Sequence, residues 1–512
     1  MSDYQSRTSL SYHLYRPEQV AAGEQQAAEQ AGIRMRALMA AAGRAAFEQV
    51  QQQAAAGARL AVCCGEGNNG GDGYVIARLA QQSGFRVSVF ALKANRQLND
   101  IDNNDAEHAR QAWRDTGNQE APLNTFNAAG FDFIVDAVFG TGLSRPLEGE
   151  LAQWVSAVNA AGVPVLAVDA PSGISADTGA VLGCAIRADW TVTMVALKRG
   201  LYTSAGRHYC GEIVLADLAV GHYFEQQQSS DWQLAQKNDC ETWLGPRPVH
   251  SHKGDFGHVL LVGGQPGMPG AMVLALQAAL RCGAGKVSVA CHGDNTDIIA
   301  TSQAEAMVHG IENAEQLKPL LQQATVIVLG PGLGTSRWSR QMFEAVTTSD
   351  KPVVIDADGL NLLADSGLSS DRWILTPHPG EAGHLLQQST KSVEQDRFSA
   401  VEAIRSQYGG QILLKGAGSL VATDRGNFVI ARGSPAMASG GMGDTLSGVI
   451  GALLAQQMSP AQALIAGSYW HAVAGEIAAR SGVRGTLASD LLVPLRQLVN
   501  GIKVDPLDGN GH

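Results

Sequence analysis

Short apolar segments alternate with longer amphipathic ones through most of this 512-residue chain, and this alternation limits its fold more than any other feature. The first series of apolar segments comprises LAVCC, RVSVFAL, FDFIVDAVF, VPVLAVDAP and DWTVTMVA, each flanked by turn-forming residues. Continuous apolar runs of this length are typical of parallel strands buried on both faces, with crossover helices between them. The pattern therefore predicts an α/β protein with parallel sheets.

A second series follows a polar stretch and comprises HVLLVGG, KVSVAC, TVIVLGPG, PVVIDADG, RWILTPHP, QILLKGAG, SLVATD and FVIAR. Residues 223–240 between the two series are Gln/Ser-rich and lack an apolar period, which is typical of a linker or a connecting surface segment. We predict one domain at 1–222, a linker at 223–240 and a second domain at 241–505. Each predicted domain is long enough to bury a core of its own.

Charge and composition exclude several classes of function. The net charge of −11 is spread along the chain without a basic arm, so we expect no binding to nucleic acid or to acidic membranes. No run approaches the ~18 apolar residues of a membrane span, and the N-terminus lacks the apolar core of a signal peptide. The seven cysteines lie among apolar neighbours without a CxxC motif, so we expect core residues of a reduced, cytoplasmic protein.

The run LAVCCGEGNNGGDG predicts a strand, a Gly-rich turn and a helix that begins near Asp72. Its glycines fit G-x-G-x-x-G, a turn whose backbone N–H groups can approach a pyrophosphate at a helix N-terminus. The next strand, RVSVFAL, ends without the acid that holds a ribose, which argues against an ordinary NAD dehydrogenase. Asn68, Asn69 and Asp72 add polar groups suited to a polar ligand or a hard cation. An ordinary tight turn is the alternative.

Two further strand ends carry acids. Asp136 lies in FIVDAVFGTGLSRP, and Asp169 precedes Ser172 in VLAVDAPSGI. Ligands of doubly wound sheets bind outside the carboxyl ends of the strands, so these ends should converge with the Gly-rich turn. A single Asp in such a place usually caps a helix or forms a turn, but three consecutive polar strand ends favour a binding site.

The most specific signal in the chain is SPAMASGGMGDTLSG, residues 434–448. Gly440, Gly441 and Gly443 precede Asp444 and an apolar helix. A glycine turn at a helix N-terminus forms an anion hole, and a carboxylate that opens the helix can take a proton from a hydroxyl. This pattern suits phosphoryl transfer, in which the hole neutralises the phosphoryl group while Asp444 activates its acceptor. The alternative is an Asp that merely caps a helix.

Other loops follow strands of the second series. KGAGS, Lys415–Ser419, ends a strand and can offer backbone amides to nucleotide phosphates or a ribose. GPGLG and TPHPGE end two other strands, and GMPGAM precedes a helix at Ala271. His378 in TPHPGE is either a ligand contact or a turn residue held by its prolines.

Together, GEGNNGGDG, DAVFGTGLSRP and VDAPSGI resemble the N-terminal domain of the bifunctional NAD(P)H-hydrate repair enzymes. That domain is Rossmann-like and three-layered, and it is similar to NAD(P)HX epimerases, which interconvert the R and S hydrates of reduced nicotinamide cofactors. The resemblance implies a potassium ion held by Asn69, Asp136 and Ser172, and it favours Asp169 as the acid/base, with Asp72 second. Arg145 stands where some relatives have Lys. The implied substrate contacts are Asn68, Asn69, Gly70, Gly71, Asp72, Gly140, Thr141, Gly142, Leu143, Ser144, Arg145, Pro146 and Asp169.

HKGDFGHVLLVGG, TPHPGE, KGAGS and SGGMGD, in this order, resemble the second domain of the same enzymes, a ribokinase-like ADP-dependent NAD(P)HX dehydratase. Met442 stands where relatives often have Thr, so one hydroxyl contact to a phosphate would be lost while the backbone amide remains. By resemblance, Ala271, Gly334, His378 and Asp444 contact the hydrate, and Lys415, Gly416, Ala417, Gly418, Ser419 and Gly443 contact the nucleotide.

The two resemblances imply a metabolite-repair enzyme that epimerises NAD(P)HX and dehydrates the S form to NAD(P)H, converting ADP to AMP and phosphate. Asp444 would be the base, and Mg²⁺ would bridge the nucleotide phosphates. The expected partners are NADHX, NADPHX and ADP or ATP, and we expect a homo-oligomer whose subunit number no motif specifies. Two alternatives stay open. One is a kinase for a vitamin precursor or sugar with a nucleotide-sensing N-terminal domain; the other is a non-enzymatic binding or scaffold role for that domain.

Overall fold

The computed structural model describes residues 12–92 and 105–504, so the outer ends of both predicted domains lie outside the described residues. The chain divides into two compact units, Met1–Gln233 and Leu234–His512. Both units are α/β, and every apolar segment of the two predicted series forms a strand, which confirms the predicted fold class.

The first unit contains ten strands and seven α-helices within its described residues. Its strands are β1 (His13–Tyr15), β2 (Arg59–Cys64), β3 (Arg86–Ala91), β4 (Glu120–Pro122), β5 (Phe133–Ala137), β6 (Val165–Val168), β7 (Trp190–Met194), β8 (Leu197–Lys198), β9 (Glu212–Ala216) and β10 (Trp232–Leu234), the last ending at the unit boundary. Its helices are α1 (Pro17–Gln30), α2 (Met35–Gln53), α3 (Asn68–Gln82), α4 (Asp105–Arg114), α5 (Glu150–Ala160), α6 (Gly206–Tyr209) and α7 (Gly221–Gln227).

Seven strands of the first unit form a parallel sheet in the order β4-β3-β2-β5-β6-β7-β9. Successive residues of a strand point to opposite faces of the sheet. Leu60 and Val62 accordingly pack in one core with α1–α3, while Ala61 packs in another with α5, which gives three layers. The strand order reverses between β2 and β5, and this reversal creates the crevice in which doubly wound sheets bind ligands.

Helix α3 begins at Asn68 rather than near Asp72, so the prediction of its start was wrong. Gly67 precedes the helix in an extended conformation. A Cβ on Gly70 would lie 2.0 Å from the carbonyl oxygen of Gly65, and a Cβ on Gly71 would lie 2.8 Å from Met39 Sδ. These glycines therefore serve the close packing of the first helical turn, a tertiary effect that the spacing of apolar residues does not report.

The second unit contains nine strands and twelve α-helices within its described residues, apart from the end of β10. Its strands are β11 (His258–Val262), β12 (Lys286–Cys291), β13 (Met307–Gly310), β14 (Val326–Leu329), β15 (Val353–Ile355), β16 (Trp373–Leu375), β17 (Gln411–Leu414), β18 (Ser419–Thr423) and β19 (Gly426–Ile430). Its helices are α8 (Lys237–Thr242), α9 (Pro269–Arg281), α10 (Thr296–Ser302), α11 (Ala314–Gln323), α12 (Arg337–Thr347), α13 (Asp358–Ala364), α14 (Pro379–Leu386), α15 (Thr390–Gln395), α16 (Arg397–Tyr408), α17 (Met442–Ala455), α18 (Pro460–Ala478) and α19 (Leu492–Leu498).

Strands of the second unit follow the order β13-β12-β11-β14-β15-β16-β17-β18-β19. The sheet is parallel as far as β17, and β18 and β19 are added antiparallel. Val259 and Leu261 pack with α9, α17 and α18 in a large apolar core. The strand order again reverses between two central strands, β11 and β14, so the second unit has a crevice of the same kind.

A glycine closes the end of the central strand at both crevices. A Cβ on Gly65 would lie 1.9 Å from the carbonyl oxygen of Val138, and a Cβ on Gly263 would lie 2.1 Å from that of Pro331. Neighbouring loops therefore meet backbone to backbone at each strand-order reversal, where no side chain fits.

Residues 223–240, for which the sequence indicates a linker, contain most of α7, the strand β10 and the start of α8. Phe224 is fully buried, its ring lies 5.0 Å from that of Tyr15, and Trp232 is buried as well. Single buried aromatics among Gln and Ser leave no apolar period, so regular structure in this segment was not apparent from the pattern.

The cysteines behave as predicted. All seven are free, and all are buried except Cys184, which is partly exposed. Across residues 12–92 and 105–504, each helix is too short or too polar to cross a lipid bilayer.

Candidate active sites

The crevice of the first unit opens into a cavity of about 600 Å³. Helices α1 and α2 contribute apolar wall residues, including Val20 and Leu38. Among the predicted substrate contacts, the cavity is lined by Asn68, Asn69, Asp72, Gly140, Thr141, Gly142, Leu143, Arg145 and Asp169. Gly70, Gly71, Ser144 and Pro146 are outside this lining.

Asp169 follows β6 and takes a left-handed backbone conformation, with φ of +66°. Its carboxylate accepts hydrogen bonds from Lys198 Nζ at 2.5 Å and from the Thr141 hydroxyl at 3.0 Å. The Lys198 ammonium also donates to the Met194 carbonyl oxygen at 2.6 Å, and its side chain is only 1% exposed. Lys198 thus anchors the acid to the neighbouring strand.

Lys198 was not among the residues singled out in the sequence. It ends β8, a strand of two residues, and it belongs to no motif that carries chemistry. Glu24 on α1 also lines the cavity and was likewise missed. In the sequence, Glu24 cannot be distinguished from a solvent-exposed helix glutamate, because only the fold brings it to the cavity.

The carboxyl groups around Lys198 have opposite pKa shifts. Burial would raise the pKa of Asp169, but the Lys198 ammonium and hydrogen bonds hold that pKa below its ordinary value. Burial, together with the charges of Asp169 and Glu24, raises the pKa of Asp72 well above its ordinary value. Two carboxyl groups with pKa values pushed apart are suited to act as a base and an acid.

Asp136 and Ser172, two of the predicted potassium ligands, are fully buried and in direct contact. The Ser172 backbone N–H and hydroxyl each donate to the Asp136 carboxylate at 2.7 Å. Ser172 Oγ also lies 3.3 Å from the Phe139 carbonyl oxygen. With its amide turned to satisfy both atoms, Asn69 donates to the Val168 carbonyl and accepts from the Gly140 N–H. Asn69 therefore meets the loop next to Phe139.

This set of oxygens fits a hard cation of low charge. It combines one carboxylate with hydroxyl, amide and carbonyl oxygens, the donor types that alkali and alkaline-earth ions prefer. In the described part of the chain, no group of three or more His, Cys, Asp or Glu residues could hold a metal ion. A cation at this loop would therefore depend mainly on neutral oxygens.

Asp444 of the second unit lies in the first turn of α17, after Gly441 with φ of +88°. Burial and the nearby charge of Asp356 raise the pKa of Asp444 to about 6. A Cβ on Gly443 would lie 3.2 Å from Lys415 Nζ and 3.4 Å from Asp356 Oδ2. The glycine turn thus lies directly against the ion pair of Lys415 and Asp356.

That ion pair consists of Lys415 and Asp356, whose side-chain atoms are 2.7 Å apart. Ser447 Oγ of α17 donates to the second oxygen of Asp356 at 2.8 Å, and Glu381 lies 3.8 Å from Lys415 Nζ. Burial and the charge of Asp356 raise the pKa of Glu381 to about 7 despite Lys415. Asp356 was not among the predicted site residues, although it is an acid at a strand end like Asp136.

The remaining predicted hydrate contacts lie just after strands of the second unit or in the first turn of a helix. His378 caps α14: its Nδ1 accepts from the Gly380 N–H at 3.0 Å, and its side chain remains exposed. The Gly334 N–H donates to Asp358 Oδ2 at 2.8 Å, and a Cβ on Gly334 would collide with the Gln265 side chain. Ala271 lies in the first turn of α9. His378 thus caps the helix after its turn, and its exposed side chain remains accessible to a ligand.

In the predicted nucleotide loop, Gly416 and Ala417 are exposed, whereas Gly418 is buried. The Ser419 hydroxyl accepts from the Gly416 N–H at 3.2 Å and donates to its carbonyl at 3.0 Å. The serine hydroxyl therefore stabilises the turn of the loop.

The side chain of Met442 packs into the second unit. Its side chain is 7% exposed and belongs to the apolar core of the second unit. The residue therefore contributes packing at this position, and its backbone N–H remains at the start of α17.

Comparisons with known proteins divide the chain in the same way as the fold. A family model described as NAD(P)H-hydrate dehydratase matches residues 259–496, and one described as YjeF-related protein N-terminus matches residues 35–200. The bifunctional NAD(P)H-hydrate repair enzyme Nnr of Coxiella burnetii is 42% identical over 489 residues, covering 95% of this chain and 99% of the relative.

Two solved structures align with about half of the chain. A ribokinase-like superfamily protein from Enterococcus faecalis has a TM-score of 0.50 at 27% identity, covering 54% of this chain and 99% of that one. An ADP/ATP-dependent NAD(P)H-hydrate dehydratase from Bacillus subtilis, co-crystallised with ATP and Mg²⁺, has a TM-score of 0.48 at 27% identity, covering 53% and 98%.

Proposed function

The chain belongs to the bifunctional NAD(P)H-hydrate repair enzymes, and from this premise we propose that each unit catalyses one step of the repair. The first unit interconverts R- and S-NAD(P)HX, and the second dehydrates the S form to NAD(P)H. One observation carries this division: each unit has its own crevice with a Lys–Asp ion pair of which one member is buried, Lys198–Asp169 in the first and Lys415–Asp356 in the second.

Epimerisation inverts the hydrated ring carbon and requires protons to leave and arrive at the substrate. Asp169 is the proposed base, because Lys198 keeps its carboxylate ionised inside the cavity. Asp72 is the proposed acid, since burial near two other carboxyl groups favours its protonated form. Thr141 orients Asp169 through its hydroxyl.

We propose that Asn69, Asp136 and Ser172 hold a potassium ion, with the Phe139 carbonyl oxygen as a further donor. The contact between Ser172 Oγ and both Asp136 and Phe139 supports this assignment. A bound cation supplies positive charge at the base of the loop that begins at Gly140, which contributes to the cavity wall.

Dehydration requires a better leaving group than hydroxide. Transfer of a phosphoryl group from ADP to the ring hydroxyl gives AMP and a phosphorylated hydrate. The ring nitrogen lone pair then expels phosphate to give an iminium, and loss of a proton from the adjacent ring carbon forms NAD(P)H. Asp444 accepts the hydroxyl proton, and the N-terminus of α17 neutralises the phosphoryl charge. A pKa of about 6 leaves most Asp444 ionised at neutral pH.

We propose that ADP, or ATP in its place, binds at Lys415–Ser419 and Gly443. Mg²⁺ would neutralise the nucleotide phosphates when it is bound, and with Asp444 assigned as the base, Asp358 and Glu381 are carboxylates that this crevice could offer to it. A cytoplasmic location is also proposed, which the seven unpaired cysteines favour. Self-association stays a prediction that sedimentation can test.

A mixed R/S hydrate tests the proposal directly. With ADP, Mg²⁺ and K⁺, the chain should convert both hydrates to reduced nicotinamide and release one phosphate per hydrate. Asp169→Asn should convert only the S form at an appreciable rate, and Asp444→Asn should convert neither. A stable phosphorylated product would instead indicate a small-molecule kinase. Full conversion of both hydrates by Asp169→Asn would indicate a binding role for the first unit.

A further inference from the structure

A buried guanidinium lies against the predicted nucleotide loop. Arg397, the first residue of α16, is 1% exposed. Its Nη1 donates to the Ala417 carbonyl oxygen at 2.9 Å, and its Nη2 donates to those of Leu414 and Lys415, both at 3.1 Å. Within the described part of the chain, its Nε has no hydrogen-bond partner. Arg397 therefore holds three carbonyls at the end of β17.

This is an unfavourable place for a cation. The acceptors of its three hydrogen bonds are neutral carbonyls, whereas buried charges are normally paired with an opposite charge. Arg397 also lies at the N-terminus of α16, where the helix dipole disfavours positive charge. Burial lowers the pKa of Arg397, and the charge of Glu394 offsets this only in part. An apolar side chain would avoid these penalties, so packing alone does not account for an arginine.

The loop is fitted to the guanidinium. Gly416 has φ of +149°, and a Cβ there would lie 2.7 Å from Arg397 Nη2. Gly416 and Ala417 are exposed, whereas the Arg397 guanidinium, which donates to the Ala417 carbonyl, is buried. The loop therefore lies between Arg397 and solvent, with its carbonyl dipoles drawn towards the cation.

We infer that Arg397 is a positioning residue for the phosphates of the nucleotide. By binding three carbonyls it keeps the negative ends of these peptide dipoles away from an anionic ligand. It also places a positive charge behind the loop that Glu394 opposes but does not pair by a hydrogen bond, and low dielectric extends its reach. This role rests on the proposed function, because it requires that Lys415–Ser419 bind an adenine nucleotide.

Calorimetric titration of the full chain with ADP and Mg²⁺ tests this role without using turnover. Arg397→Met should raise the Kd for ADP at least about tenfold. Arg397→Lys should lie in between, since an ammonium keeps the charge but cannot span three carbonyls. Arg405→Met is the matched control: it removes a partly exposed arginine from the same helix and should leave the Kd within about twofold.

Gly416→Ala gives an independent test should Arg397→Met fail to fold, because its Cβ would press on the guanidinium while all charges remain. It too should weaken ADP binding. A folded Arg397→Met protein, or Gly416→Ala protein, with a lower Tm but unchanged ADP affinity would show a purely structural role and overturn the inference. Failure of the unmodified chain to bind ADP would overturn the proposed function of the loop, and the role of Arg397 with it.

Discussion

Lys198 Nζ lies 2.5 Å from Asp169 Oδ1, and this contact determines the charge state of the cavity in the first unit. Burial by itself would favour the protonated form of Asp169, and the Lys198 ammonium is the largest influence against it. Lys198, which belongs to none of the sequence motifs, therefore controls the ionisation of the proposed base, Asp169.

Replacing Lys198 by Met should raise the pKa of Asp169, because burial is then no longer opposed. A base with a raised pKa is ionised only at higher pH, so the acid limb of the epimerisation profile should move upwards. At neutral pH the rate should fall by roughly 10²–10⁴-fold, the range for loss of a working base. Measurement of R-to-S exchange as a function of pH checks this. Arg187→Met removes an exposed cation of the same unit and should leave the profile in place.

Asp444→Asn should reduce dehydration by roughly 10²–10⁴-fold and leave epimerisation unchanged. In the unmodified chain, the dehydration rate should fall as the pH drops through about 6, because the base becomes protonated. Asp424→Asn, on the turn between β18 and β19, is a control that should keep full activity. Dehydration by Asp444→Asn within about threefold of the unmodified chain would remove Asp444 from the mechanism.

Exchange of potassium for a large organic cation should slow epimerisation and lower the Tm of the first unit, while dehydration serves as the internal control. Ser172→Ala should abolish the difference between the two salts, since it removes the hydroxyl that joins Asp136 to the Phe139 carbonyl. If thoroughly dialysed protein shows the same rate and Tm in both salts, Asn69, Asp136 and Ser172 serve only to shape the loop.

Met442→Thr should destabilise the second unit by about 1–3 kcal/mol, because it replaces a buried thioether with a smaller polar side chain. The Kd for ADP should not improve, since this side chain belongs to the core. Urea denaturation and calorimetric titration give the two quantities. Met307→Thr, at a position 40% exposed, should change neither. Tighter ADP binding by Met442→Thr would show that the hydroxyl reaches a phosphate.

The sequence predicted that the first site lies beyond the carboxyl ends of parallel strands, whereas the strand order that locates each crevice comes from the structure. Acids and glycines after apolar segments converge because the carboxyl ends of parallel strands share one edge. Asp136 and Asp169 were found by this rule, and Asp356 in PVVIDADG satisfies it equally.

Lys198, Glu24 and Arg397 could not be found in this way. Their importance comes from contacts between residues distant in sequence, such as Arg397 with the Ala417 carbonyl. Local pattern reports which face of an element is buried, but it does not report which charged side chain the fold encloses. The start of α3 at Asn68 was missed for the same reason.

The backbone of Asp169 affects how mutational scans of this protein are interpreted. With φ of +66°, the position favours residues that tolerate left-handed geometry, namely Gly, Asn and Asp. Alanine there would keep the Cβ but lose the polar side chain that makes left-handed geometry tolerable, so an alanine scan would mix conformational strain with lost chemistry. Asparagine and glycine variants separate the two effects, and a saturation library should retain folded protein most often with these two substitutions, whatever their activity.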